Sequence, residues 1–360
     1  MNKKPVKKEE IDSENDERRL FYVALTRARQ GVTITYAKQG VDGREQLPSQ
    51  FIGEIKKDLI EELDTKEFEK DFGEKKHILL MPLLDKEEVG RGLNQDFVRE
   101  IFERQGLSVT ALNNYLDCPW NYFYSNLLRL PKAQNKHMMY GTAIHRALRD
   151  FFSQLKDREI PKQNLLDSFE FHLNKEPMTD RDSLEVLEKG RKALSGYYDK
   201  YYKTWERNVL TEFKIKGADA GVGVHLNGNL DKIEFLGREN EVNVVDYKTR
   251  QPLSRNEIEK RGYKRQIAFY KLLLDNYENG KYKFTTGELD FIEPIDKARG
   301  LRPTEKGEYK KEKFIITDDE ITELKETIKK VADEIINLKF WDKKCNEINC
   351  QYCKLRDLLA

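Results

Sequence analysis

Two carboxylates and a lysine occur in this chain in an order that can hold a divalent cation and attack a phosphodiester. Asp246 and Lys248 close the run Glu241-Val-Asn-Val-Val245, and Asp231 lies fifteen residues upstream in Gly228-Asn-Leu-Asp-Lys232. The β-branched content of both stretches predicts strands. Residues two apart on a strand share a face, so Asp246 and Lys248 point the same way. A neighbouring strand can bring Asp231 beside them. Paired carboxylates favour a hard cation with oxygen ligands, Mg²⁺ or Mn²⁺. An ammonium at such a site can orient an attacking water or stabilise charge developing on phosphorus. An Asp-x-Lys on its own is more often an exposed, weak surface pair, so the reading depends on its surroundings.

The elements that must position these groups follow an α/β pattern. The pattern predicts a helix from Ser108, helices over 142–155 and 184–206, and strands over 209–215, 222–226, 228–235 and 241–247. A helix over 264–276, strands over 288–293 and 313–317, and a helix over 319–338 complete it. The 184–206 helix carries Tyr197, Tyr198, Tyr201, Tyr202 and Trp205. Such a stripe can stack on single-stranded bases, but burial in a core is its commoner fate. The run Lys260-Arg-Gly-Tyr-Lys-Arg265 opens the helix that follows and is the best local candidate for phosphate contact.

Four segments match a known family in order. Tyr140-Gly-Thr-Ala-Ile-His145, Gly228-Asn-Leu-Asp231, Val244-Val-Asp-Tyr-Lys-Thr249 and Gln266-Ile-Ala-Phe-Tyr270 resemble the motifs of the RecB-like branch of the PD-(D/E)xK nucleases. The resemblance implies a restriction-endonuclease-like core, a mixed central sheet flanked by helices. It implies metal binding by His145, Asp231, Asp246 and the Tyr247 carbonyl, with Mg²⁺ or Mn²⁺ as cofactor. Lys248, with Asp246 and Asp231, would be catalytic. Gln266 and Tyr270, four apart on one helical face, would position a DNA phosphate or Lys248, with Lys264 and Arg265 as further DNA contacts. Glu212 offers a further acidic group behind the ligands, or else an ordinary solvated strand residue.

The cysteines number four: Cys118, Cys345, Cys350 and Cys353. One precedes the nuclease segments and three follow. This split resembles the iron–sulfur staple of AddB-type nucleases, which implies a 4Fe–4S cluster; zinc or free thiols are the alternatives. The related pattern places two residues, then five, between its last three cysteines. Here Leu359 occupies the final position, so Cys345 would supply the fourth thiolate from upstream. The cluster would clip the tail to the first helix of the domain.

Asp16-Glu-Arg-Arg-Leu-Phe-Tyr-Val-Ala-Leu-Thr-Arg-Ala-Arg29 resembles motif VI of UvrD-like helicases, and Leu47-Pro-Ser-Gln-Phe-Ile-Gly-Glu54 the segment after it. By position Arg27 takes the role of the arginine that reaches the ATP γ-phosphate. No Gly-x-x-x-x-Gly-Lys-Ser/Thr loop is present, so this chain alone is expected to lack ATPase activity. A small helicase remnant is expected, with a motor supplied by a missing N-terminal region or a separate subunit. Within it, 17–29 reads as a helix with Leu20, Val23, Ala24 and Ala28 on one face, and 32–36 as a strand.

The expected organisation is a disordered terminus (1–15), the helicase remnant (16–60), a charged linker (61–107) and the nuclease domain (108–360). Across 360 residues the net charge is +1, so there is no global basic signature for nucleic acid and cations must be segregated locally. No apolar run is long enough to span a bilayer and no secretory signal is present, so a cytoplasmic protein without membrane partners is expected. The leading reading is a DNA nuclease, single-strand-preferring and exonucleolytic, acting on single strands or duplex ends in repair and recombination. The competing reading is a non-catalytic DNA-binding or scaffold module.

Overall fold

The computed structural model describes residues 18–19, 21–28, 31–36, 49–70, 95–130, 135–156, 158–237, 239–295 and 307–359. The chain divides into two compact units, residues 1–76 and 77–360. In the first unit, residues 18–19 and 21–26 are helical. Its inward face differs from the expected one. Phe21 and Leu25 are half-buried while Val23, Ala24 and Ala28 are exposed, because Phe21 packs on Phe51, 5.8 Å between rings. Arg18 ties the same helix to Glu54 at 2.7 Å. Leu20 and residues 1–15 lie outside the described residues. Residues 31–36, expected to include a strand, are assigned none. Arg27 is exposed at the helix end.

The second unit runs α1 (Gln95–Gln105), β1 (Leu107–Ser108), α2 (Val109–Asp117), α3 (Pro119–Tyr122), α4 (Lys136–Leu155), α5 (Lys162–Leu173) and α6 (Asp180–Tyr201). It continues through β2 (Val209–Asp219), β3 (His225–Phe235), β4 (Glu241–Lys248), α7 (Arg255–Lys260), α8 (Tyr263–Asp275), β5 (Lys283–Phe291), β6 (Lys311–Phe314), α9 (Asp318–Ile336) and α10 (Gln351–Leu359). Local chemistry sets these bounds. The Ser108 hydroxyl accepts from the Ala111 N–H at the start of α2. Asn135 caps α4 through the His137 and Met138 N–H groups, which starts that helix six residues before the apolar pattern does. Thr317 and Glu320 close a reciprocal capping box on α9.

Three differences from the expected elements matter. Helix α1 falls inside the stretch read as a charged linker, yet Val98 and Phe102 are fully buried. Its two buried positions are four apart, so a helix rich in charge still has one face to bury. Helix α5 was not foreseen. The segments expected as strands at 222–226 and 228–235 instead give one strand, β3, preceded by a turn with Gly221 and Gly223 at positive φ.

The sheet is mixed. Its order is β1-β3-β4-β5-β6, with β2 also paired to β3. Pairs β4–β5 and β1–β3 are parallel, and β2–β3, β3–β4 and β5–β6 antiparallel. β4 is buried on both faces, as its nearly continuous valine run requires. Val242 and Val244 join one core cluster with α1, α2, α3, α8 and α9. Val245 and Tyr247 join the other, with α4, α5 and α6. The aromatic stripe belongs to that second core. Tyr197 is fully buried with Trp205 beside it, and Tyr198 stacks on Tyr202 at 4.4 Å. Among the described residues no helix is long and apolar enough to cross a membrane.

Candidate active site and a four-thiol site

The end of β4 carries Asp246 and Lys248 onto the face covered by α8. Their partners come from that helix. Gln266 donates through Nε2 to Asp246 Oδ1 at 2.7 Å and accepts from Lys248 Nζ at 2.8 Å. The Tyr270 hydroxyl, one turn on, donates to the same Asp246 oxygen at 3.0 Å and accepts from Gln266 at 2.7 Å. Lys248 Nζ lies 2.5 Å from Asp246 Oδ2. The four-residue spacing of Gln266 and Tyr270 thus lets both reach one buried carboxylate. α8 comes close to β3 because Gly228 has no side chain: a Cβ there would lie 2.3 Å from Leu273 Cδ1.

On the other side of β4, His145 on α4 approaches Asp231 on β3, with Nδ1 3.3 Å from Oδ1. Gly141, one turn earlier on α4, admits Thr249 at 3.2 Å from where its Cβ would stand. The Asp231 Oδ2 atom accepts the Tyr247 N–H at 2.9 Å. The β3–β4 ladder has ended by then, at Lys232–Val245. A strand residue turns its N–H and C=O to the same edge, so the Tyr247 carbonyl faces the Asp231 side. The Tyr247 ring packs perpendicular to His145 at 6.0 Å.

Glu212 completes a tight group. His145, Glu212 and Asp231 each offer a ligand atom, all within 4.8 Å of one another. Glu212 lies on β2 across from Asp231, between the pairs Thr211–Lys232 and Phe213–Leu230. Its φ is +50°, an uncommon conformation for a residue with a side chain and one that costs about 1–3 kcal/mol. Side-chain alternation breaks at the same place: Leu230 and Ile233, three apart, join the same core cluster. The kink aims Glu212 at the site, where Asn229 donates to its carboxylate. Asp246 is not in this three-residue group.

The electrostatics show a site with surplus negative charge. Burial disfavours the charged His145 imidazolium, yet the carboxylates of Asp231, Asp246 and Glu212 outweigh it and hold its pKa above the ordinary value. Burial pushes the Asp246 carboxyl up against the pull of Lys248, and the Asp231 charge adds to the rise. A histidine and crowded carboxylates of this kind are donors suited to a hard divalent cation.

The remaining expected residues lie at the edge. Lys264 pairs with Glu320 at 2.5 Å and Arg265 donates to Asn113 Oδ1 at 2.7 Å. Both are engaged by the protein itself. Sequence reasoning missed Lys232, which is fully buried with Nζ 2.8 Å from Glu234 and over the Phe152 ring at 4.1 Å. Its place directly after Asp231 was the available signal. It also passed over Arg250, two residues beyond Lys248.

The four cysteines converge in the same unit. Cys118 Sγ lies 3.6 Å from Cys350 and 3.8 Å from Cys353, and Cys345 is 3.6 Å from Cys353. Cys118 sits between α2 and α3, and Cys353 on the C-terminal helix α10. Cys345 reaches the group from upstream despite the unusual spacing. Burial raises the Cys118 thiol pKa, and neighbouring thiols add to the rise. Burial also disfavours the Cys350 thiolate, but donors from Cys353 and Cys345 outweigh it and its pKa is lowered. The Trp120 indole donates to the Lys343 carbonyl at 2.9 Å beside this group.

Comparison with known proteins supplies the context. A subunit of the ATP-dependent helicase/deoxyribonuclease of Streptococcus suis, in strains 05ZYH33 and 98HAH33, is 26% identical over 226 residues, covering 55% of this chain. The chain spans about a fifth of the length of these curated relatives, 20%. A solved structure of a provisionally named exonuclease from Eubacterium rectale overlaps 76% of this chain and 92% of its own, with a TM-score of 0.44 and 14% identity. The family model for the PD-(D/E)XK nuclease superfamily matches residues 106–358, which include α2 through α10, the candidate active site and all four thiols. The chain therefore belongs to the PD-(D/E)XK nuclease superfamily, and its mixed sheet flanked by helices is the fold of that family.

Proposed function

We propose that this protein is a metal-dependent deoxyribonuclease that degrades single-stranded DNA from its ends. The observation that carries the reading is the clamp of Gln266 and Tyr270 on the Asp246–Lys248 pair, set beside the His145–Glu212–Asp231 group. A buried acid–lysine pair held by three hydrogen bonds is more than a surface ion pair. His145, Asp231 and Asp246 would hold Mg²⁺ or Mn²⁺, with the Tyr247 carbonyl turned to the same edge and Glu212 as a further acid. When bound, the ion supplies Lewis acidity at the phosphate and lowers the pKa of a coordinated water. Lys248, fixed by Gln266, orients the attacking water or neutralises charge developing on phosphorus. Gln266 and Tyr270 act through that pair as positioning residues. Lys264 would exchange its half-buried Glu320 partner for a DNA phosphate. Arg265, bonded to a neutral amide, keeps its charge for the same use.

The thiols form a structural site, and the resemblance to AddB-type nucleases supports a 4Fe–4S cluster. A second reading has an observation of its own. Sγ separations of 3.6–3.8 Å equal the edge of a tetrahedron around one ion with Zn–S bonds, about 3.8 Å. Anaerobic absorption spectroscopy with iron and zinc analysis separates the two.

The segment around Arg27 and the similarity to a helicase/deoxyribonuclease component support a role in a helicase–nuclease of DNA repair and recombination. The motor would come from elsewhere in a longer protein or from a second subunit. The test of the nuclease reading is degradation of labelled linear and circular single-stranded DNA with Mg²⁺ or Mn²⁺ by wild type, Asp246→Ala and Lys248→Ala. Degradation of the linear form only, lost in both variants, is expected. DNA binding by wild type without cleavage under either metal would instead establish a scaffold module.

A further inference from the structure

Among the described residues, the side chain of Arg250, two residues beyond Lys248, has neither an ion pair nor a hydrogen bond. Three lysines of the same unit, by contrast, are engaged. Lys248 holds Asp246 at 2.5 Å, Lys189 holds Glu293 at 2.6 Å, and Lys232 holds Glu234 at 2.8 Å. Among the described residues the Arg250 side chain has no carboxylate within ion-pair distance and no hydrogen-bond acceptor, and its Nε is buried. The side chain as a whole is only half-buried, and its Nη atoms remain accessible.

The backbone fixes where this guanidinium starts. The Arg250 N–H donates to the Lys248 carbonyl at 2.8 Å, and the Ile292 N–H donates to the same carbonyl at 3.0 Å. Thr249, between them, abuts Gly141 on the helix that carries His145. Arg250 is therefore pinned by short-range bonds at the exit of β4, beside Lys248 and the end of α4. The accessible Nη donors have no acceptor from the protein and are open to a ligand that supplies one. A planar fork of donors matches the non-bridging oxygens of a phosphate in two-point contact.

We infer that Arg250 contacts a phosphate of the cleaved DNA strand at the mouth of the site. This rests on the nuclease reading above and adds a substrate-binding residue to it. A side chain kept for packing would lose nothing when its charge is removed. A side chain that grips a phosphate changes the salt dependence of binding, because each neutralised phosphate on a single strand releases about 0.7 of a counterion.

The test uses the full chain. Binding of a fluorescent single-stranded oligonucleotide is measured across a salt series in the inactive Asp246→Ala background, with and without Arg250→Ala or Arg250→Lys. Cleavage is measured for Arg250→Ala and Arg250→Lys in the otherwise intact protein. The expected results are a salt slope shallower by about 0.7 for Arg250→Ala, a slope restored by Arg250→Lys, and cleavage about tenfold slower in Arg250→Ala. An unchanged slope overturns the inference, whether or not affinity falls. So does cleavage by Arg250→Ala within twofold of wild type. Cleavage absent from wild type itself would sink the nuclease reading alone, since the binding arm still reports on Arg250.

Discussion

The protein carries two clusters of ligand-type side chains, and they differ in donor, burial and setting. The oxygen–nitrogen group draws on two strands and one helix, and its His145, Glu212 and Asp231 are each half-buried. The thiol group is nearly closed, with Cys118, Cys350 and Cys353 buried, and joins residues more than two hundred positions apart. An open group of hard donors can admit a substrate and exchange its ion. A closed group of thiols is suited to holding parts of the chain together. The difference teaches that one site should govern rate and the other stability, and each prediction below can break that division.

The largest effect is expected at the clamp. Asp246→Ala or Lys248→Ala should lower cleavage by about a thousandfold, with thermal unfolding close to wild type. A variant that lost both activity and fold would show that the pair is structural. Next comes the thiol site: Cys350→Ser should lower the unfolding temperature by about 10 °C, the scale of several kcal/mol in a domain of this size. Any loss of rate at low temperature should be small. If cleavage vanished while the melting curve stayed put, the thiols would belong to catalysis.

Metal removal sharpens the contrast further. Brief EDTA treatment should abolish cleavage, and added Mg²⁺ should restore it, while the melting temperature holds because a metal held by four thiolates would exchange slowly. Glu212 offers a subtler test. Glu212→Gly relieves a left-handed backbone worth about 1–3 kcal/mol and should leave the melting temperature equal or higher, while cleavage falls about tenfold. A matched fall in both would mean that the kink serves the sheet and not the site.

The smallest expected effect is a pH dependence near the thiols. Glu334 accepts from Tyr115 at 2.7 Å and pairs with Lys343 at 2.7 Å, tying α2 and the tail to α9. Burial pushes its carboxyl up, but Lys343 and Tyr115 outweigh burial and hold the folded pKa below the ordinary value. A depressed folded pKa adds stability above the unfolded pKa, and that stability is lost as pH falls through the folded value. Melting temperatures measured from pH 6 down to pH 3 should therefore drop less steeply in Glu334→Gln than in wild type.

Much of this was legible in the residues. The valine run ending in Asp246 and Lys248 announced a strand and a pair sharing one of its faces. The four-residue spacing of Gln266 and Tyr270 announced one helical face. The stripe from Tyr197 to Trp205 was ambiguous, because the periodicity is the same for a core as for a stacking platform. Helix α1 was hidden by its charge, since only Val98 and Phe102 needed burial. The apolar face assigned to the 17–29 helix was wrong because the ring that covers it, Phe51, comes from a distant turn.

The sequence by itself determined the order of the motifs, the donor types and the strand that carries the acid–lysine pair, because these depend on residue identity and local period. Only the tertiary structure decided that Gln266 and Tyr270 grip Asp246, that Glu212 bends toward Asp231, that Cys345 joins the thiols and that Arg250 is left without a partner. Each of those depends on where a strand kinks, how near a helix can approach, or which neighbour takes up a charge. Such distances are set by packing between segments far apart in the chain, and no local pattern encodes them.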